Sequence, residues 1–309
     1  MNPPAATLPA ADPATARPAR NPGPSWGYAF LQWADRWLPA GLFAFGVRVG
    51  VLIAVLGMPA QRRHSAAYLT QVFGRPARFR EVFHHFHVFT QLLLAKLRAA
   101  GGAPHRCEVA PPGGDGFFAL AHAATPALFG TMHFGNSDLL GFLLADFQKR
   151  VAVVRLRVGN SRDTRELGRR FAEWVEFLWV NEPENIPFAL KDALARGVSV
   201  AMKCDRPEFS AKLEAFDFLG ARRLFPFTIY HLALVFGAPV VHCVGVPAAR
   251  DATLVHTSPV FRPTGDRRAD LAAARAHFQE FLRTVEELLR RDPYLWFNFC
   301  PLNPPAPAT

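Results

Sequence analysis

His133 and Asp138, five residues apart in "GTMHFGNSDLLGFLL", are the first residues of this chain whose types and spacing suggest chemistry. An imidazole takes up a proton near neutral pH, and a carboxylate on its second ring nitrogen fixes the tautomer and stabilises the imidazolium. The pair therefore fits a general base and its orienting acid. The spacing alone is weak, because 11 histidines and 25 acidic residues in 309 yield about one such pair by chance. The competing reading is a core histidine beside a carboxylate at a helix start, where it faces the positive end of the macrodipole.

Other candidates surround this pair. Arg155 and Arg157 follow an apolar run and share parity on a strand, so both suit a phosphate contact on one face. Asp205 closes a further apolar run, while Arg222 and Arg223 are either phosphate ligands or solvated loop charges. Ser137 in "GNSD" has a serine-esterase look, but that chemistry needs a late Asp-x-x-His pair, which the chain lacks. In "EVFHHFHVFT", His84 and His87 lie one helical turn apart, and the interleaved aromatics read more readily as a packed face than as a metal site. The four cysteines form no Cys-x-x-Cys, which argues against a thiolate metal site and a disulfide framework.

The elements that must position these residues follow from periodicity. After a helical stretch at 65–100, strand-like runs at 117–120, 127–132, 151–156, 198–202, 215–219 and 240–246 alternate with helical patterns at 137–147, 163–180, 186–195 and 227–236. A last helix covers 267–291. This order predicts an α/β fold with a mostly parallel central sheet flanked by helices. In such sheets functional groups gather at the carboxyl ends of strands, where His133, Arg155, Arg157 and Asp205 all fall.

Residues 1–24, rich in Pro and Ala, read as a disordered tail, and 25–60 as an N-terminal membrane-associated helical segment. Residues 38–58 hold a single charge, Arg48, and follow Trp26, Trp33 and Trp37, which resemble an interfacial aromatic belt. A central arginine costs about 2.5 to 3.5 kcal/mol on insertion, so this segment spans a membrane or lies in its interface, the competing reading being a buried core hairpin. If it spans, the arginines, denser after the segment than before it, orient residues 61–300 toward the cytoplasm; 301–309 read as a second tail. The net charge of +10 favours anionic partners. Without a zinc-finger, basic-zipper or RNA-binding signature, nucleic acid is the weaker choice.

Taken in order, the blocks "GTMHFGNSD", "VVRLRVGN", "ALARGVSVAMKCDRP" and "FDFLGARRLFPFTIYHLALVFGAPVV", behind an apolar N-terminal helix, resemble the lipid A late acyltransferases of the lauroyl and myristoyl type. These belong to the lysophospholipid acyltransferase superfamily, marked by His-x4-Asp or His-x4-Glu. The resemblance implies an enzyme at the inner membrane, facing the cytoplasm, that moves a fatty acyl chain from acyl carrier protein, or coenzyme A, to a hydroxyl of a glycolipid or related amphiphile. It implies His133 as base and Asp138 as its orienting acid, without an acyl-enzyme, metal or bound cofactor. Arg155 or Arg157, in one block with Asn160, would meet a phosphate or carrier group. Asp205 would belong to the third block, and Arg222 and Arg223 to the fourth. Two departures leave the acceptor open: the lipid A enzymes usually have Glu at the place of Asp138, and a basic pair where this chain reads Trp296-Phe297-Asn298-Phe299. The rivals are an esterase or thioesterase in the same pocket and a non-catalytic lipid-binding homologue.

Overall fold

The computed structural model describes residues 25–111, 114–155, 171–180, 186–207, 210, 212–249 and 251–303. The tail at 1–24, Arg157, Asn160 and much of the helical pattern expected at 163–180 lie outside them. The expected α/β fold with a mostly parallel sheet is present. Strands β1 (Arg106–Val109), β2 (Leu128–Thr131), β3 (Val151–Arg155), β4 (Val175–Trp179), β5 (Ser199–Lys203), β8 (Val240–Ala249) and β9 (Ala252–Thr257) form one sheet in the order β1-β9-β8-β2-β5-β3-β4. Every neighbouring pair in it is parallel except β8–β9.

Strand periodicity explains how both faces are filled. Leu128 of β2 enters the core with Val200, Val240, Tyr230 and Phe278, whereas its neighbour Phe129 faces the opposite layer with Phe117, Leu144 and Val241. Helices α8 (Thr228–Phe236) and α9 (Arg267–Arg291) supply the first layer, and α5 (Gly114–His122) and α6 (Leu140–Asp146) the second. Helix α7 (Ile186–Ala195) leads into β5.

Three expectations are corrected. The run at 117–120 is helical, because Phe117, Leu120 and Ala121 line one buried helix face, and a short apolar run does not by itself distinguish strand from helix. Val175–Trp179, expected as the end of a helix, is the edge strand β4. The run at 215–219 lies in a separate antiparallel hairpin, β6 (Leu213–Phe218) and β7 (Ala221–Pro226). Leu219 and Gly220 connect these strands, and both have positive φ, as a tight two-residue hairpin turn requires.

The N-terminal part comprises α1 (Ser25–Trp37), α2 (Ala40–Gly57), α3 (Pro59–Phe73) and α4 (Phe79–Ala100). Among the described residues, α2 alone is long and apolar enough to cross a membrane. Its stripe Val47, Val51 and Val55 is buried in the main core, while Leu42, Phe45, Ile53 and Leu56 are exposed. Asp35 of α1 pairs with Arg98 of α4.

Gly135, just beyond β2, is one position where the fold demands glycine. Its φ is +48°, and a Cβ there would lie 2.1 Å from the Gly245 carbonyl oxygen. Gly135→Ala therefore combines left-handed strain with a backbone clash and should cost at least about 2 kcal/mol. A urea midpoint equal to that of the natural chain would contradict this placement.

Candidate functional site

Parallel pairing of β2 with β5 creates the site. Thr131 is paired with Lys203, and the same offset of 72 residues brings His133 to Asp205 just beyond the two strand ends. The Cys204 amide donates to the Thr131 carbonyl (2.7 Å), extending the ladder to that point. The His133 amide then donates to Asp205 Oδ2 (3.0 Å), and His133 Nδ1 lies 2.8 Å from Oδ1. Trp296 Nε1 also donates to Oδ2 (3.0 Å), and the Asn303 side-chain amide donates to the Asp205 carbonyl (2.9 Å).

A fully buried carboxylate is costly unless donors surround it. Burial pushes the Asp205 pKa upward, but His133, Arg206 and Lys203 outweigh that effect and hold it below the ordinary carboxylate value. An ionised carboxylate accepts only, so Nδ1 of His133 must carry hydrogen. Burial, then Arg206 and Lys203, depress the imidazole against the pull of Asp205, and its pKa falls to about 3. At neutral pH the ring is thus uncharged, and Nε2 holds a bare lone pair. Among the described residues Nε2 has no hydrogen-bond partner, and 23 % of the side chain remains exposed. A neutral ring with an accessible Nε2 is the form of histidine that can accept a proton.

The orienting carboxylate is accordingly Asp205, which replaces the expected Asp138. Asp138 is the middle residue of a short 3-10 segment (Ser137–Leu139) after the Gly135 turn, and it lies between Lys203 Nζ (2.7 Å) and Lys96 Nζ (2.9 Å). Desolvation raises its pKa, but Lys203, Lys96 and Arg155 more than compensate and hold it well below the carboxylate norm. Asp205, read from the sequence as a strand-end member of the third block, is fully enclosed behind His133, away from any substrate contact.

A cavity of about 120 Å³ adjoins this arrangement. Its walls are mostly apolar, including Phe117, Phe129 and Leu144, and Asp138, Arg155 and Lys203 are its charged members. His133 is not on the wall, but Thr131, two residues before it, is. Thr131 on β2 and Lys203 on β5 each precede a member of the dyad by two residues, so the cavity lies next to the strand ends that carry it. Thr131 Oγ1 is buried and has no partner among the described residues, so its hydroxyl is available. The amides of Gly135, Asn136 and Ser137 already donate to Leu295, Gly245 and Phe134 carbonyls.

The remaining expected residues divide. Arg155 ends β3 at the cavity, its guanidinium 5.7 Å from the Phe177 ring centre. Arg222 is exposed on the hairpin. Arg223 is buried and donates to the Phe218 (3.3 Å) and Asn303 (3.1 Å) carbonyls, so it holds the segment that holds Asp205. Lys96, Lys203, Trp296 and Asn303 escaped the sequence reading as site residues. In comparisons with known proteins, neither a family model nor a curated protein matches the chain.

The ionisation pattern sets the response to acid. His133 and His85 both have pKa values lowered by burial to about 3, so between the unfolded histidine value near 6.5 and that level the unfolded chain binds more protons than the native one. Stability should fall as pH drops below about 6.5, and more steeply below about 4, where protonation of Asp138 and Asp205 is favoured in the unfolded chain. Urea midpoints measured across this range would refute the assignment if they stayed level.

Proposed function

We propose that this protein is a membrane-associated O-acyltransferase in which His133 deprotonates an acceptor hydroxyl. The observation that supports this most is the neutral His133, held through Nδ1 by Asp205, beside an apolar cavity with a cationic border. Attack of the acceptor hydroxyl oxygen on an acyl thioester forms the new ester C–O bond and breaks the C–S bond. Nε2 accepts the hydroxyl proton, which then leaves on the thiolate, so no acyl-enzyme is needed. The cavity walls suit an acyl chain. Thr131 Oγ1 and the Arg155 guanidinium are candidate donors for the developing oxyanion.

The donor in this reading is acyl carrier protein or coenzyme A, both anionic, in keeping with the +10 charge. The acceptor is a glycolipid or related amphiphile. Membrane association is supported by the exposed apolar face of α2 and by Trp26, Trp33 and Trp37, each more than half exposed. The cytoplasmic face of an inner membrane is the location that fits a carrier-protein donor.

The decisive assay supplies acyl carrier protein thioester and lipid acceptor in vesicles and quantifies ester product and free fatty acid separately. His133→Ala should lower turnover at least about 10²-fold with its melting transition retained. Release of free fatty acid alone would make the protein a hydrolase, and full activity of the variant would remove the base.

A further inference from the structure

Buried polar side chains run from the N-terminal helices to Asp205. Ser65 Oγ of α3 lies 2.8 Å from His85 Nδ1 of α4, His85 Nε2 lies 3.1 Å from the Trp296 carbonyl oxygen, and Trp296 Nε1 lies 3.0 Å from Asp205 Oδ2. None of the four residues is more than 1 % exposed. Chemistry fixes the hydrogens. A carbonyl only accepts, so His85 Nε2 must donate, and burial keeps this imidazole neutral, leaving Nδ1 to accept the Ser65 hydroxyl proton. An indole only donates, and the carboxylate only accepts. Each donor therefore points along the same path toward Asp205.

Trp296 joins the two halves of the path. His85 holds its carbonyl, and its ring stands edge-on to the rings of Tyr68 and Phe218, each 5.3 Å away between centres. The next amide, Phe297 N–H, donates to the His133 carbonyl (2.9 Å), so one short segment supports both members of the dyad. The rings of Phe86 and Phe89 on α4 pack against Phe299 of that same segment. Apolar side chains at 65 and 85 would avoid the desolvation of a hydroxyl and an imidazole, but they would leave the Trp296 carbonyl with the Asn298 amide (2.8 Å) alone and remove the side-chain link from α4 to that carbonyl.

We propose that Ser65, His85 and Trp296 are positioning residues, a relay through which the seating of α3 and α4 fixes Asp205 and thereby the tautomer and basicity of His133. This rests on the reading of His133 and Asp205 as the working dyad, and it makes that dyad conditional on the packing of α3 and α4 against the C-terminal segment. Removing the indole donor leaves the carboxylate more basic, and the imidazolium form of His133 gains. The charged groups facing His133, namely Asp205, Arg206 and Lys203, stay in place.

The test is titration of His133 by NMR of the full chain labelled with ¹⁵N-histidine, without substrate. Trp296→Phe should raise the His133 pKa by about one unit, the scale of one hydrogen bond to a charged group. His85→Phe should raise it less, and the double variant no further than Trp296→Phe alone, because the effects share one path. Ser65→Ala, the mildest change, should move the His133 ring resonances in the same direction and serves if the larger substitutions do not fold. Unmoved resonances and pKa in the folded variants, or fully additive shifts, would overturn the relay. Because no substrate is present, the result stands apart from acyl transfer: a relay without transferase activity would refute the proposed reaction alone.

Discussion

A carboxylate buried at the end of a parallel sheet is the constraint on which the rest of this structure depends. Asp205 is fully enclosed and ionised, so each of its acceptor positions must be answered by a donor. Strand β2 answers with the amide and ring of His133, the C-terminal segment with the Trp296 indole, and Asn303 secures the backbone from behind. These donors come from regions of the chain far apart in sequence, so Asp205 is satisfied only when the sheet, the hairpin and the final segment are all assembled. The N-terminal helices join the same demand through His85 and Trp296.

The second feature of the site is a separation of charges. Asp138 is neutralised by Lys96 and Lys203, so it does not compete for His133, and Lys203 and Arg155 line the apolar cavity. The result is an uncharged imidazole beside an apolar space with a positive edge. In the proposed reaction, that setting would let a base act on a hydroxyl while cations attract an anionic donor. The same logic explains why so many polar groups near His133 are already satisfied: the amides after Gly135 are consumed by the fold.

Much of this was legible in the sequence. Alternating apolar runs and helical patterns announced the α/β order, and His133 and Asp205 were both read at strand ends. Which carboxylate meets the histidine was not legible, because the local spacing to Asp138 is visible in one glance along the chain, whereas the contact with Asp205 depends on the register of β2 against β5. The helix at Gly114–His122 was misread because four apolar residues in succession satisfy either period. Attention to His84 and His87 passed over His85, whose burial is set by α4 packing on the C-terminal segment, and Trp296 was noted only as a departure from the lipid A enzymes.

In the proposed reaction Asp205, rather than Asp138, makes His133 a base. That assignment is tested most directly by comparing Asp205→Asn with Asp138→Asn in the same acyl-transfer assay, each with its folding checked by thermal melting. Asp205→Asn should reduce kcat at least about 10²-fold, because an amide no longer stabilises the imidazolium or enforces the tautomer, while Asp138→Asn should remain within about 10-fold of the natural chain. The reverse order, with Asp205→Asn near full activity and Asp138→Asn inactive though folded, would contradict the account.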